Sequence, residues 1–378
     1  MTIRISDSFD GGAIEVLSAE DPAQISLNLR SDSHAEIHQW FYFRLQGARG
    51  QACQMHVMNA GQATFAQGWV GYSALASDDG EHWFRVPTTF DGTVLTITYT
   101  PRYDSIYFAY FEPYSWQRHL GLLGRAQRSP LVRLENLGAT VEQRDMDMLT
   151  IGDSEASNVT AAKKVWIIAR QHPGETMAEW FVEGMIGALL DQANPVARSL
   201  LQRAVFYIVP NMNPDGSVHG NLRTNAAGAN LNREWMAPSL ENSPEVLCVR
   251  EKILATGCDF FLDVHGDEAL PYVFVAGSEM LENFSERQAR EQQLFIDAFR
   301  SASPDFQTER GYPRSKYRED VLKLASKYIG HTFACPSLTL EMPFKDNANL
   351  PDAQAGWSGA RSAGLGRAVL LPILRLFS

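Results

Sequence analysis

Cysteine is scarce in this 378-residue chain. There are four, Cys53, Cys248, Cys258 and Cys335, scattered and with no CxxC pair among them. They read as reduced, mostly buried thiols of a cytoplasmic protein. Also missing is any run of about 18 apolar residues, the minimum for a membrane helix. The opening Met1-Thr2-Ile3-Arg4-Ile5-Ser6-Asp7 lacks the apolar core of a signal peptide. Charged residues are few at 20%, beside an ordinary 45% apolar, so no long disordered segment is implied. Basic residues are the minority, and the net charge of −11 argues against nucleic acid or an anionic membrane surface as main partner. An anionic substrate stays open, since a basic pocket can sit within an acidic surface. Repeats and low-complexity segments are absent. The length is generous for one domain and comfortable for two.

Residues 1 to about 112 read as β structure. Ile25 to Leu29, Trp40 to Leu45, Ala52 to Met58, His82 to Val86 and Ser105 to Phe111 are short runs rich in aromatic and β-branched residues. Asp91-Gly92, between two such runs, is a hairpin signal. Short strands at close spacing predict an antiparallel β-sandwich over residues 1–114. His34, His38, His56 and His82 are isolated there and read as structural or surface residues.

From residue 115 to 378 strands and helices alternate, which predicts an α/β domain with a largely parallel sheet. Four apolar runs read as central strands, over 165–171, 204–210, 259–265 and 336–342. Each finishes at or just beyond a residue with chemistry to offer: His172, Asn211, His265 and Glu341. Open α/β sheets bind ligands at the carboxyl ends of their strands. Helices are expected over 174–191, 243–256, 283–302 and 358–376.

In Arg170-Gln171-His172-Pro173-Gly174-Glu175 an imidazole and a carboxylate lie three residues apart, after a strand and before a helix, with Pro173 expected in the helix's first turn. Two such groups can hold zinc if a third ligand joins them. Phe260-Phe261-Leu262-Asp263-Val264-His265-Gly266 supplies a candidate, His265, with Asp263 on the same face of the strand to orient its ring. Between them lie the tight-turn sequence Asn213-Pro214-Asp215-Gly216, then Arg223, then Asn230-Leu231-Asn232-Arg233. Arg233 offers a planar fork for a carboxylate, Asn232 an amide donor, and Arg223 a partner for an oxyanion. Glu341, within the apolar run Ser337 to Pro343, is costly to bury without a function. Beside a metal-activated water it would serve as general base.

The order HPGE, NPDG, NLNR, DVHG and TLEMP resembles the zinc metallocarboxypeptidases of the carboxypeptidase A clan. The resemblance spans nearly the whole chain. It is strongest to the cytosolic carboxypeptidase branch, in which a β-sandwich precedes the catalytic domain, with Tyr107-Phe108-Ala109-Tyr110-Phe111-Glu112-Pro113-Tyr114 at the junction. It implies a mixed, largely parallel sheet with helices on both faces. It also implies one zinc ion per chain on His172, Glu175 and His265, and Glu341 as the base. Arg223 would polarise the scissile carbonyl, and Asn232 and Arg233 would hold the C-terminal carboxylate of a peptide or protein. Asp267 stands where many eukaryotic relatives carry a second histidine, which points to a bacterial subgroup. For the family's tyrosine proton donor the candidates are Tyr317 and Tyr328. Lys323 and Lys327 lie where relatives line the specificity pocket, so a C-terminal Glu or Asp is the expected leaving residue. The rival reading is a zinc amidohydrolase acting on N-acyl amino acids, of the aspartoacylase and succinylglutamate desuccinylase type. The Asn213-Pro214-Asp215-Gly216 turn and the N-terminal β domain stand against it. A degenerate, non-enzymatic peptidase is a further reading, opposed by the complete set of motifs.

Overall fold

The computed structural model describes residues 3–152, 162–313 and 319–378. The N-terminal part carries ten short strands: β1 (Arg4–Ser6), β2 (Glu15–Ser18), β3 (Ile25–Asn28), β4 (Tyr42–Gln46), β5 (Cys53–Val57), β6 (Leu75–Ser77), β7 (Phe84–Arg85), β8 (Thr88–Phe90), β9 (Leu95–Tyr99) and β10 (Ser105–Ala109). They form two five-stranded sheets, ordered β1-β4-β10-β6-β7 and β2-β3-β5-β9-β8. Alternating residues turn inward, among them Ile25 and Leu27, Phe43 and Leu45, Met55 and Val57, Leu95 and Ile97, and Ile106 and Phe108. The Phe108 ring lies 5.4 Å from Phe43 in its own sheet and 6.2 Å from Tyr99 in the other. β8 and β9 are the hairpin expected at Asp91-Gly92. One pairing departs from the antiparallel expectation, since β3 and β5 run parallel. Between them the chain crosses to β4 in the other sheet and returns from the same end, which a tight hairpin cannot do.

Beyond the sandwich come α1 (Trp116–Ala126), β11 (Val132–Ala139), β12 (Asp145–Ile151), β13 (Lys163–Ala169), α2 (Met177–Leu190), α3 (Pro195–Leu201), β14 (Ala204–Val209), α4 (Pro214–His219), α5 (Pro244–Thr256), β15 (Phe260–Asp267), β16 (Phe274–Ala276), α6 (Glu286–Ala302), α7 (Ala325–Phe333), β17 (Ser337–Pro343), α8 (Gly359–Ala368) and α9 (Leu370–Leu376). The seven strands are ordered β11-β12-β14-β13-β15-β17-β16. β14, β13, β15 and β17 are mutually parallel, and the antiparallel strands are confined to the two edges. The central strands are apolar on both faces because both faces are covered. Val165, Ile167, Phe206, Ile208, Leu262 and Leu340 share a core with α2, α6 and α9. The alternate residues, Trp166, Ile168, Tyr207, Val209 and Phe261, meet Val246, Val249 and Ile253 of α5 and Ala325 and Ile329 of α7.

Two expectations are corrected. Asn213-Pro214-Asp215-Gly216 is not a free turn: it opens α4, with Asn213 Oδ1 accepting from the Gly216 amide at 3.0 Å and Pro214 at the first helical position. The single helix expected over 358–376 breaks at Val369 into α8 and α9. Pro372 has no amide hydrogen with which to continue the α8 ladder. Among the described residues no helix is long and apolar enough to cross a membrane. All four cysteines are free, with Cys258 and Cys335 Sγ atoms 3.8 Å apart.

Candidate active site

On the α5 and α7 side of the sheet, the apolar stripe turns polar as the parallel strands reach their carboxyl ends. Along β15 the sequence Phe261, Asp263, His265 takes over that face, and along β17 Thr339 and Glu341 do so. His265 and Glu341 are partners in register, so adjacent strands place their side chains side by side.

Just past β13, Arg170 takes a left-handed φ of 61°. Its buried guanidinium fixes the turn, with Nε donating to Pro173 O at 2.9 Å and Nη1 to Tyr114 O at 2.9 Å and Glu179 Oε2 at 2.7 Å. Gly174 packs against the following loop so closely that an added Cβ would sit 2.9 Å from Leu222 Cδ1. α2 starts only at Met177, so Pro173 lies in the turn with His172 and Glu175 and not, as the sequence predicts, in the helix's first turn. The turn aims His172 and Glu175 at His265.

His172 Nδ1 lies 2.7 Å from Glu175 Oε1, His265 Nδ1 lies 2.7 Å from Glu175 Oε2, and the two Nδ1 atoms are 3.2 Å apart. All three side chains are buried. Their other contacts decide which nitrogens carry hydrogen. His265 Nε2 faces Asp263 Oδ2 at 2.9 Å, and His172 Nε2 faces Asn230 Oδ1 at 3.0 Å. Those oxygens only accept, so each Nε2 carries a proton, and each Nδ1 offers a lone pair once it is deprotonated. With both Nδ1 atoms deprotonated, two imidazole lone pairs and a carboxylate converge on one point, an arrangement that a cation would hold together. The donor set suits zinc.

The two imidazoles differ in their electrostatics. Burial, with the Arg223 guanidinium nearby, lowers the His172 pKa to about 4 and keeps it neutral. Burial would also lower that of His265, but the Asp263 and Glu175 carboxylates outweigh it and raise it well above the usual value. Glu175 stays ionised: burial works against it, and the two imidazoles prevail. For Glu341 burial wins and raises the carboxyl pKa well above the usual range. One of its oxygens, Oε2, is buried with no hydrogen-bond partner among the described residues, and the other accepts from the Tyr312 hydroxyl at 3.0 Å.

The cluster lies in a cleft of about 900 Å³ whose walls include Arg223, Asn232, Arg233, Glu341, Tyr312 and Lys327. Every residue expected at the site from the motifs is therefore brought to one cavity. Asn232 is buried and already holds the Ala325 amide through Oδ1 at 2.9 Å, while Arg233 is exposed and donates to Asn232 O at 2.7 Å. The two lysines separate. Lys327 is buried at the cleft, with Nζ donating to Gly277 O, whereas Lys323 is exposed and outside it. Of the two expected tyrosines, Tyr328 is not at the site. Tyr328 packs toward Trp235, with Arg250 over its ring, and Tyr317 lies outside the described residues. Sequence reasoning missed Tyr312, whose half-exposed ring turns its hydroxyl inward to Glu341 Oε1 and, at 2.8 Å, to Asp267 Oδ2. Its one local signal is the turn sequence Gly311-Tyr312-Pro313.

Residues 5–111 match the cytosolic carboxypeptidase N-terminal domain and residues 123–270 the zinc carboxypeptidase family. The crystal structure of a metallo-carboxypeptidase from Burkholderia cenocepacia shares 61% identity over 99% of each chain, with a TM-score of 0.98. This chain belongs to the zinc carboxypeptidase family. A metallo-carboxypeptidase from Pseudomonas aeruginosa, solved in complex with (2-guanidinoethylmercapto)succinic acid, is 43% identical over 98% of each chain, with a TM-score of 0.94. Mouse cytosolic carboxypeptidase 6 is 31% identical over 280 residues, and this chain spans half the length of that relative. As a zinc carboxypeptidase the chain is a metallopeptidase, and its N-terminal β-rich domain is the one that marks the cytosolic branch.

Proposed function

We propose that this enzyme removes single residues, preferably acidic ones, from the C-termini of peptides or proteins in the cytoplasm. The reading assigns residues 1–114 to a β-sandwich domain and 115–378 to the catalytic domain, with one zinc ion per chain on His172, Glu175 and His265. The observation that carries it is the convergence of the two Nδ1 lone pairs and the Glu175 carboxylate beside the buried Glu341.

A zinc ion held there would act as Lewis acid on water and on the scissile carbonyl, and its charge would draw Glu341 toward the ionised form. Glu341 takes the proton of the attacking water and later passes it to the departing amine. Arg223, half-buried at the cleft wall, donates to the oxygen on which charge develops. Arg233 and Asn232 bind the substrate's terminal carboxylate, which makes the enzyme an exopeptidase. The Tyr312 hydroxyl, shared by Glu341 and Asp267, is placed to donate to the leaving group, a role for which the sequence offered Tyr317 and Tyr328. Lys327 supports the acidic preference, since its ammonium is buried at the cleft with only a carbonyl as hydrogen-bond acceptor among the described residues. The cleft extends to Phe65 and Gln67 of the N-terminal domain and to Arg300 and Arg310, room for a chain beyond the last residue. That extent favours a peptide over an N-acyl amino acid. The net charge of −11 argues against nucleic acid or an anionic membrane surface as a partner.

The test is zinc content together with cleavage of blocked peptides ending in Glu, Lys, Phe and Ala, for wild type beside Glu341→Gln. The expected result is about one zinc per chain in both proteins, with release of the last residue, Glu fastest, by wild type alone. Zinc with no peptide cleavage but turnover of N-acetyl or N-succinyl amino acids would transfer the enzyme to the amidohydrolase reading.

A further inference from the structure

The loop between β3 and β4, in the N-terminal domain, reaches across to the segment that carries Arg223. Asp32 is its buried tip. Its Oδ1 accepts from the Leu222 amide at 2.7 Å, and its Oδ2 from the Arg223 amide at 2.7 Å, the Thr224 amide at 2.9 Å and the Thr224 hydroxyl at 3.2 Å. One carboxylate thus binds three consecutive backbone amides that belong to no helix or strand. The next residue continues the clamp, with the Ser33 amide and hydroxyl donating to Asn221 Oδ1 at 3.1 and 3.2 Å. Asn221 in turn donates to Thr224 O at 3.0 Å. The same domain also meets the side chain of Arg223: its guanidinium carbon lies 5.3 Å from the centre of the Phe65 ring, within cation–π distance. Leu222 O accepts from the Gly174 amide at 2.8 Å, so the clamped segment is tied to the turn bearing His172 and Glu175.

We infer that Asp32 and Phe65 are positioning residues for Arg223, and that the β-rich domain is therefore a working part of the catalytic apparatus. An irregular segment has no hydrogen-bond ladder of its own, so its three amides need an acceptor, and here that acceptor comes from a residue about 190 positions away. A guanidinium on a long flexible stem is useful to a transition state only if it is held before the charge appears, because a displacement of about 1 Å can cost a factor of 10². Asp32 holds the backbone from which Arg223 springs, and Phe65 supplies the face against which its guanidinium lies.

The inference rests on the role proposed for Arg223, and a double-mutant cycle separates the two claims. In the zinc-loaded full chain, Arg223→Ala should lower kcat about 10²–10³-fold, the effect of losing one oxyanion donor. Asp32→Asn and Phe65→Leu should each lower kcat about tenfold with zinc content unchanged, and Asp32→Asn, outside the cleft, should leave KM for the peptide unchanged as well. In the Arg223→Ala background either change should cost less than about twofold, because nothing remains to position. An equal loss in both backgrounds, or a loss confined to KM, would make Asp32 and Phe65 merely structural and overturn the inference. If Asp32→Asn does not fold, Phe65→Leu, which keeps an apolar side chain there, decides alone. Wild-type turnover by Arg223→Ala would instead refute the role of Arg223, and the positioning would fall with it.

Discussion

Removing the carboxylate of Asp263 tests the zinc site without touching a ligand. Asp263 Oδ2 accepts from His265 Nε2 at 2.9 Å and from Gln171 Nε2 at 2.8 Å, and Gln171 Oε1 takes the Trp235 indole hydrogen at 2.8 Å. All of these side chains are buried. The carboxylate does two things for His265. It holds the proton on Nε2, which leaves Nδ1 free for the metal, and its charge makes that nitrogen a better donor. In Asp263→Ala the ring is free to carry its proton on Nδ1, where it competes with zinc. Substituting such a partner commonly weakens metal binding 10–100-fold, which is about 1.4–2.7 kcal/mol. Asp263→Asn should fall between, because one amide oxygen can still accept from His265 while the amide nitrogen confronts the Gln171 donor.

Zinc affinity is read by competition with a chromophoric chelator at fixed pH, alongside thermal melts of the zinc-free proteins. The melts matter because Asp263→Ala also leaves buried donors on His265 and Gln171 unpaired, at about 1–3 kcal/mol each. A true loss of affinity appears in the competition experiment after protein that has unfolded is excluded. At saturating zinc, kcat should recover to a much greater degree than affinity does. Zinc affinity within twofold of wild type in Asp263→Ala would refute the argument that this carboxylate sets the tautomer.

Three further predictions follow from the same geometry. Tyr312→Phe should lower kcat about tenfold with little change in KM, and should move the acid limb of the kcat/KM profile to higher pH, since the lost hydroxyl bond favours ionised Glu341; an unmoved profile would remove Tyr312 from the site. Lys327→Gln should cost about 10–100-fold in kcat/KM on peptides ending in Glu and little on those ending in Ala. Burial lowers the Lys327 pKa to about 8, so the wild-type preference for Glu should fade as pH rises through that value, and a flat ratio from pH 7 to 9 would contradict the assignment. Glu245, at the first turn of α5, has its pKa raised by burial to about 7, with Asn225 Nδ2 at 3.2 Å. The unfolded chain loses this proton near the ordinary value of 4.5, so between there and about 7 the folded state binds more protons and stability declines as pH rises. Glu245→Gln should abolish that part of the decline, at most about 3 kcal/mol, and melts of both proteins at pH 5 and 8 give the comparison.

Much of the architecture was legible because it repeats. Trp166, Ile168 and Phe261 lie on one face of the sheet and Val165, Ile167 and Leu262 on the other, so continuous apolar runs marked buried parallel strands. His172, His265 and Glu341 were legible as a group because each follows or ends such a run, and strand ends are where an open sheet leaves room. Position in the chain does not say which distant side chain completes a contact. Lys323 and Lys327 look alike in sequence, and the helix that starts at Ala325 buries only the second. Tyr312 stands in a loop with no period to betray its direction, and it is far in sequence from Glu341, which it touches. Asp32 was the least legible of all: nothing around it differs from an ordinary surface turn, and its partners Leu222, Arg223 and Thr224 belong to the other domain. The motifs name the groups that meet the substrate, whereas the groups that hold them still are distributed through loops whose pairing only the folded chain reveals. For that reason the β-rich domain, which carries none of the five motifs, can still govern turnover through a single buried aspartate.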